Sequence, residues 1–147
     1  MFAFAGHIFS GAIDAVMIGG VCNELTGTWE QIMNVPLPAM PSGYMSGFYQ
    51  PLWSDDFQQF MAIGYVTGGA SWVSALLESP DGENWDLSTG TLPDEVQFSE
   101  MAYSPTLHLW VVVGVYGILS STDAVNWTTR YAGTHPDGKS FNSVVWS

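Results

Sequence analysis

The sequence predicts an all-β fold made of short repeated sheets. Three observations support this: a pattern of residues recurs along the chain, the apolar runs are short, and 16 Gly and 8 Pro interrupt any long helix. The 147 residues amount to about one domain. Because 47% of the residues are hydrophobic and only 11% are charged, the chain should fold rather than remain disordered.

The first recurring element is an apolar run that ends in glycine. FMAIG at 60–64 resembles WVVVG at 110–114, and PLWS at 51–54 resembles MAYS at 101–104 with the same spacing. The unbroken hydrophobicity of each run predicts a strand that is buried on both faces.

The second recurring element is a turn that contains aspartate. SPDGENW at 79–85 resembles STDAVNW at 121–127, and a degenerate copy, TGTW, occupies 26–29. The earlier full copy lies further from its apolar run, so an insertion is expected between Gly64 and Ser79.

The two ends of the chain match different parts of one repeat. FNSVVWS at 141–147 resembles FSEMAYS at 98–104, and FAFAG at 2–6 resembles the apolar run at 110–114. One repeat is therefore predicted to be split between the termini. The predicted units are 141–147 together with 1–34, then 44–90, and then 97–131, with the Pro-rich linker 35–43 after the first.

Each unit is expected to contain four short strands, which is typical of propeller blades. The predicted architecture is a single domain, 1–147, forming a β-propeller-like array of about three four-stranded blades, one of them split between the N- and C-termini. A closed propeller needs about four blades or more, so we expect another chain to complete the ring. The alternatives are an open array in a larger assembly or a chain derived from a longer parent.

The residues of the aspartate-containing turn suit a tight connection. Asp81 is expected to accept backbone N–H bonds, and Gly82 to adopt a positive φ. Asn84 is expected to tolerate the left-handed region, and Trp85 to bury its ring while its N–H reaches a backbone acceptor.

These turns resemble the Asp-box (BNR) repeat of sialidase-like β-propellers, and most closely its shortened form in phage virion and tail proteins. In that family the Asp-box is a fold element that generally lies away from any active site. The resemblance implies structural roles for Ser79, Asp81, Gly82, Trp85, Ser121, Asp123 and Trp127.

The enzymatic activity of sialidases is excluded by composition. Sialidases bind the substrate carboxylate through three arginines, and this chain has only Arg130. Hydrolysis of other glycosides needs only two carboxylates. The adjacent pairs Asp55–Asp56 and Asp94–Glu95 are better interpreted as solvated turns.

Other catalytic and metal sites are not favoured. The histidines, His7, His108 and His135, lack metal-ligand spacing, and His108 is interpreted as a satisfied structural residue. Asp81, Glu83 and Asp86 suggest calcium only faintly, because their spacing departs from known loops. We therefore expect no catalytic residue, no metal and no cofactor.

The charge pattern limits the partners. The formal net charge is −12, and Arg130 and Lys139 are the only cationic residues apart from histidine. No cationic patch can form, which argues against nucleic acid and against anionic lipid. Two uncharged stretches, 57–77 and 101–122, are interpreted as pairs of strands rather than membrane spans.

Two long apolar segments that extend beyond the strands of a blade predict contacts with other subunits. Tyr65 and Trp72 lie in the insertion between 64 and 79, while Phe9, Ile13 and Met17 lie in a similarly long stretch of the first unit. An exposed apolar patch usually marks an interface, so these residues are candidates for contact with a neighbouring subunit or a ligand.

The resemblance implies a non-enzymatic structural component of a phage particle, associated with the tail or capsid and present in several copies. The first alternative is a carbohydrate-binding propeller for host-surface adhesion, borne on the virion or secreted. A carboxylate-dependent glycoside hydrolase is a less favoured alternative.

Overall fold

The computed structural model describes residues 2–8, 16–23, 28–35, 44–67, 73–90, 92, 97–115, 117–133 and 140–147. These residues form eleven β-strands and no helix. The strands are β1 (Phe2–Ile8), β2 (Val16–Asn23), β3 (Thr28–Val35), β4 (Tyr44–Ser54), β5 (Gln59–Thr67), β6 (Val73–Ser79), β7 (Asp86–Leu87), β8 (Phe98–Ser104), β9 (Leu109–Gly114), β10 (Gly117–Ser121) and β11 (Thr128–Ala132). The predicted all-β class is confirmed.

The strands form three antiparallel meanders. The first sheet has the order β1-β2-β3, the second β4-β5-β6-β7 and the third β8-β9-β10-β11. In both uncharged stretches the described residues lie in strands and turns, as expected. None of the described segments is a helix able to cross a membrane.

The second and third sheets share one register at their first hairpin. Phe48 pairs with Gly64 in the second sheet, and Phe98 pairs with Gly114 in the third. The glycine is required there, because a Cβ on Gly114 would lie 2.0 Å from the carbonyl oxygen of Gln97. Gly114, at the end of its apolar run, therefore lets the neighbouring backbone approach closely.

The main core lies between the second and third sheets. It combines residues of β5 and β6 with residues of β8, β9, β10 and the following turn: Met61, Ile63, Leu76, Phe98, Met101, Trp110, Val112, Leu119 and Ala124. Each fully buried large side chain stabilises the fold by about 1.5–3 kcal/mol. This shared core holds the two sheets together.

Two close contacts fix the spacing of these sheets. Ser74 Oγ on β6 accepts a hydrogen bond from the Phe98 N–H on β8 at 2.9 Å. Gly90, which follows β7, packs directly on the backbone of Ala124, since a Cβ there would lie 2.2 Å from the Ala124 carbonyl oxygen.

Residues 141–147 differ from the prediction. They form no strand and no ladder with the first sheet of the same chain. Instead, the Phe141 N–H donates to the Gly114 carbonyl at 3.2 Å and the Val144 N–H donates to Glu100 Oε2 at 2.8 Å. The split unit is thus not assembled within one chain, because these bonds hold the segment against the third sheet.

Candidate functional site

The aspartate-containing turn between β6 and β7 is organised around one carboxylate. Asp81 Oδ1 accepts hydrogen bonds from the Ser79 hydroxyl at 3.0 Å and from the N–H groups of Glu83 and Asn84, both at 2.8 Å. The Asn84 side-chain amide donates to the other oxygen, Oδ2, at 2.8 Å. The turn is therefore closed by its own residues.

The turn between β10 and β11 repeats this network. Asp123 Oδ1 accepts from the Ser121 hydroxyl at 2.8 Å and from the N–H groups of Val125 and Asn126 at 2.9 and 2.7 Å. Asn126 also donates its side-chain amide to Oδ2 at 2.8 Å. The shared sequence pattern thus specifies the same local geometry twice.

The indole N–H of a tryptophan donates a hydrogen bond to the backbone of each turn. Trp85 Nε1 donates to the Gly82 carbonyl at 3.0 Å, and Trp127 Nε1 donates to the Ala124 carbonyl at 3.1 Å. These are the bonds expected for Asp81 and Trp85. Trp85 is buried and Trp127 is half-buried, so each indole links its turn to the packed interior.

The positive φ expected at Gly82 is present, at 80°, and Ala124 adopts 60° at the matching position. Ala124 adopts this conformation although it carries a Cβ, and its side chain is buried in the core. The expectation for Asn84 is wrong. Asn84 is not among the described residues with positive φ, and it contributes through its side-chain amide instead.

The hydrogen bonds keep both turn carboxylates ionised. Partial burial of Asp81 raises its pKa, but the backbone and side-chain hydrogen bonds from Asn84, with those from Glu83 and Ser79, lower it to about 2. The pKa of Asp123 is also lowered, chiefly by the side-chain and backbone hydrogen bonds from Asn126.

The faint calcium expectation for Asp81, Glu83 and Asp86 is not supported. The Asp81 oxygens face donors within the turn, while Glu83 and Asp86 are exposed. Among the described residues, no group of three or more His, Cys, Asp and Glu side chains could hold a metal ion.

A second polar cluster joins the second and third sheets. Asp56, on the turn between β4 and β5, accepts a hydrogen bond from the Tyr103 hydroxyl on β8. The same carboxylate oxygen lies 2.9 Å from His108 Nδ1, on the turn between β8 and β9. The interpretation of Asp56 as a solvated turn residue is therefore incomplete.

This cluster affects the ionisation of its members. The Tyr103 hydrogen bond is the main cause that lowers the Asp56 pKa; burial opposes it, and the hydrogen bond and charge of His108 lower the pKa further. Burial and the bond to Asp56 raise the Tyr103 pKa. The His108 side chain is 66% exposed, so it is a surface residue that pairs with a carboxylate beside its turn.

The remaining candidate catalytic residues are not brought together where the structure describes them. Asp55 accepts a hydrogen bond from Trp53 Nε1 at 2.8 Å, and Arg130 donates to the Ser120 hydroxyl at 2.7 Å. Asp94, Glu95 and His135 lie outside the described residues, as does the side chain of His7.

Most of the candidate interface residues cannot be placed in contacts. Trp72, Phe9 and Ile13 lie outside the described residues, whereas Tyr65 and Met17 are described only as backbone positions on β5 and β2. A different apolar surface, not expected from the sequence, lies in residues 141–147. There, Val145 and Trp146 are 83% and 44% exposed.

Comparison with known proteins returned no match among protein-family models, curated proteins or solved structures.

Proposed function

We propose that this chain is a non-enzymatic structural subunit built from propeller-like blades, which assembles with other subunits in the tail or capsid of a phage particle. The observation that carries the proposal is the duplicated turn. Two turns with the same serine, aspartate, asparagine and tryptophan bonds follow the third strand of two matching sheets. The assignment to a phage particle depends on the resemblance of these turns to shortened Asp-box repeats.

The packing of neighbouring sheets supports the propeller-like arrangement. The second and third sheets bury one common core, and a glycine of one unit touches the turn of the next. Blades of a propeller pack on their neighbours through their faces in this way.

The use of the carboxylates supports a structural role. Asp81 and Asp123 face donors of their own turns, and Asp56 links two sheets. A glycoside hydrolase instead needs two carboxylates that are free to face one sugar.

Electron microscopy of the purified chain tests the assembly. We expect ring-shaped or extended oligomers in which the subunits recur at a regular spacing. Peptides of this chain should also be found in phage particles purified from its source. A chain that stays monomeric at micromolar concentration and is absent from such particles would overturn the proposal. Selective binding on a glycan array would then favour adhesion, and turnover of a host polysaccharide would favour hydrolysis.

A further inference from the structure

The first sheet has an edge that no described strand pairs with. β1 forms a ladder with β2, and β4 passes close to β1 but forms its ladder with β5. The second and third sheets have four strands each, whereas the first has three. By sequence, β1 matches β5 and β9, which are the second strands of their sheets. The strand that the first sheet lacks is therefore the one that would precede β1. A strand edge without a partner presents a row of N–H and C=O groups that can bind another strand.

A segment of matching sequence lies elsewhere in the chain. FNSVVWS at 141–147 has the pattern of FYQPLWS at 48–54 and FSEMAYS at 98–104, with Phe first, an aromatic residue sixth and Ser last. Residues 48–54 lie in β4, and residues 98–104 are β8. Both are first strands of their sheets, so 141–147 has the sequence of a first strand but not its structure.

The environment of this segment is unlike that of its two counterparts. Leu52, Trp53, Ala102 and Tyr103 are half-buried in their sheets, and the serines that end these strands, Ser54 and Ser104, are buried. In contrast, Val145, Trp146 and Ser147 are exposed. Val145 and Trp146 together leave an apolar surface in water that strand pairing would cover.

We propose that residues 141–147 of one chain pair with β1 of a second copy and complete its first sheet. The occupant is a second copy because three units fall below the number that closes a propeller, about four, whereas two chains together supply six. Reciprocal exchange of the segment gives a closed, two-fold symmetric dimer. This inference rests on the proposed propeller-like arrangement.

The other two sheets predict the register of this pairing. The first hairpins pair Phe48 with Gly64 and Phe98 with Gly114, so Phe141 should lie opposite Gly6. In the same way, Tyr103 pairs with Trp110 and Ala102 with Val111. Trp146 should therefore lie opposite Phe2, and Val145 opposite Ala3.

Cysteine cross-linking tests both the partner and the register. Directly opposite residues of an antiparallel pair have Cα atoms about 4.5–5.5 Å apart, within the range that a disulfide spans. The test variant carries Ala3→Cys and Val145→Cys, with the native cysteine removed by Cys22→Ser. After mild oxidation we expect a covalent dimer that a reducing agent converts to monomer.

The matched control moves one cysteine by a single position. Phe4→Cys with Val145→Cys places the two thiols on opposite faces of the predicted sheet, so at least a tenfold smaller dimer yield is expected. Mixing a tagged Ala3→Cys chain with an untagged Val145→Cys chain, both in the Cys22→Ser background, should give a cross-linked heterodimer.

Three results would overturn the inference. They are a cross-link formed only within one chain, equal yields from the test and control pairs, and no cross-link in a variant whose circular dichroism matches the native chain. If cross-linking fails while electron microscopy still shows assembled particles, strand exchange is wrong but the structural function stands. If both fail, the proposed function is wrong as well.

Discussion

Replacing Gly114 with alanine should destabilise the chain strongly. The new Cβ would lie 2.0 Å from the Gln97 carbonyl oxygen and 2.6 Å from the Phe98 Cα, although ordinary contact begins at 3.4 Å. Both neighbours are backbone atoms, so the start of β8 must move by more than about an ångström. Overpacking of this kind costs about 1–3 kcal/mol. The shift also breaks the bond from the Val115 N–H to Gln97, 2.9 Å long, and adds about 1 kcal/mol.

The total loss is about 2–4 kcal/mol in the free energy of unfolding. Urea unfolding followed by tryptophan fluorescence measures it. With a slope of about 2 kcal/mol per molar, the midpoint should fall by about 1–2 M without a change in slope.

Gly133→Ala is the control. Gly133 has a positive φ, 108°, which Gly114 does not have, and a Cβ there would meet no atom within 4 Å. Only the backbone conformation is then penalised, by about 1–2 kcal/mol. If Gly114→Ala costs no more than Gly133→Ala, the close approach does not determine the register of this hairpin.

Three further predictions concern buried and charged groups. The folded-state pKa of Asp81 is lowered to about 2, below an unfolded value of about 3.9. Its contribution is therefore present above about pH 4 and lost as the pH falls through 2, so Asp81→Asn should flatten the dependence of the urea midpoint on pH in this range. Trp110→Phe should change the free energy of unfolding by less than about 1 kcal/mol. The buried Nε1 has no hydrogen-bond partner among the described residues, so the smaller ring removes that penalty while it loses apolar contact. A loss above about 2 kcal/mol in the same urea assay would contradict this account. Asp56→Asn should lower the Tyr103 pKa, seen as tyrosinate absorbance at lower pH, whereas Asp55→Asn should leave the titration unchanged.

The local features of the fold could be predicted because they depend on neighbouring residues. Asp81 reaches the N–H groups two and three positions later, and Trp85 reaches the carbonyl three positions earlier. Such bonds are fixed by turn chemistry alone. Asn84 was predicted incorrectly because its side chain suits two roles, a left-handed backbone and an amide donor, and the sequence does not distinguish them.

Contacts between distant parts of the chain could not be predicted in the same way. Asp56 meets Tyr103 and His108 because two sheets pack together, and nothing near Asp56 in the sequence indicates this. Two positions compete for residues 141–147. Their sequence favours pairing as a strand, but within one chain the segment binds the Gly114 carbonyl and the Glu100 carboxylate.

The contact between Gly90 and Ala124 has a consequence for how the protein can vary. Because main-chain atoms of the second and third units touch at this point, the gap between the two sheets is not governed by the size of any side chain there. Mutations in the surrounding core can then alter stability while the spacing of these two sheets stays constant. A residue larger than glycine at position 90 would instead push the second and third sheets apart.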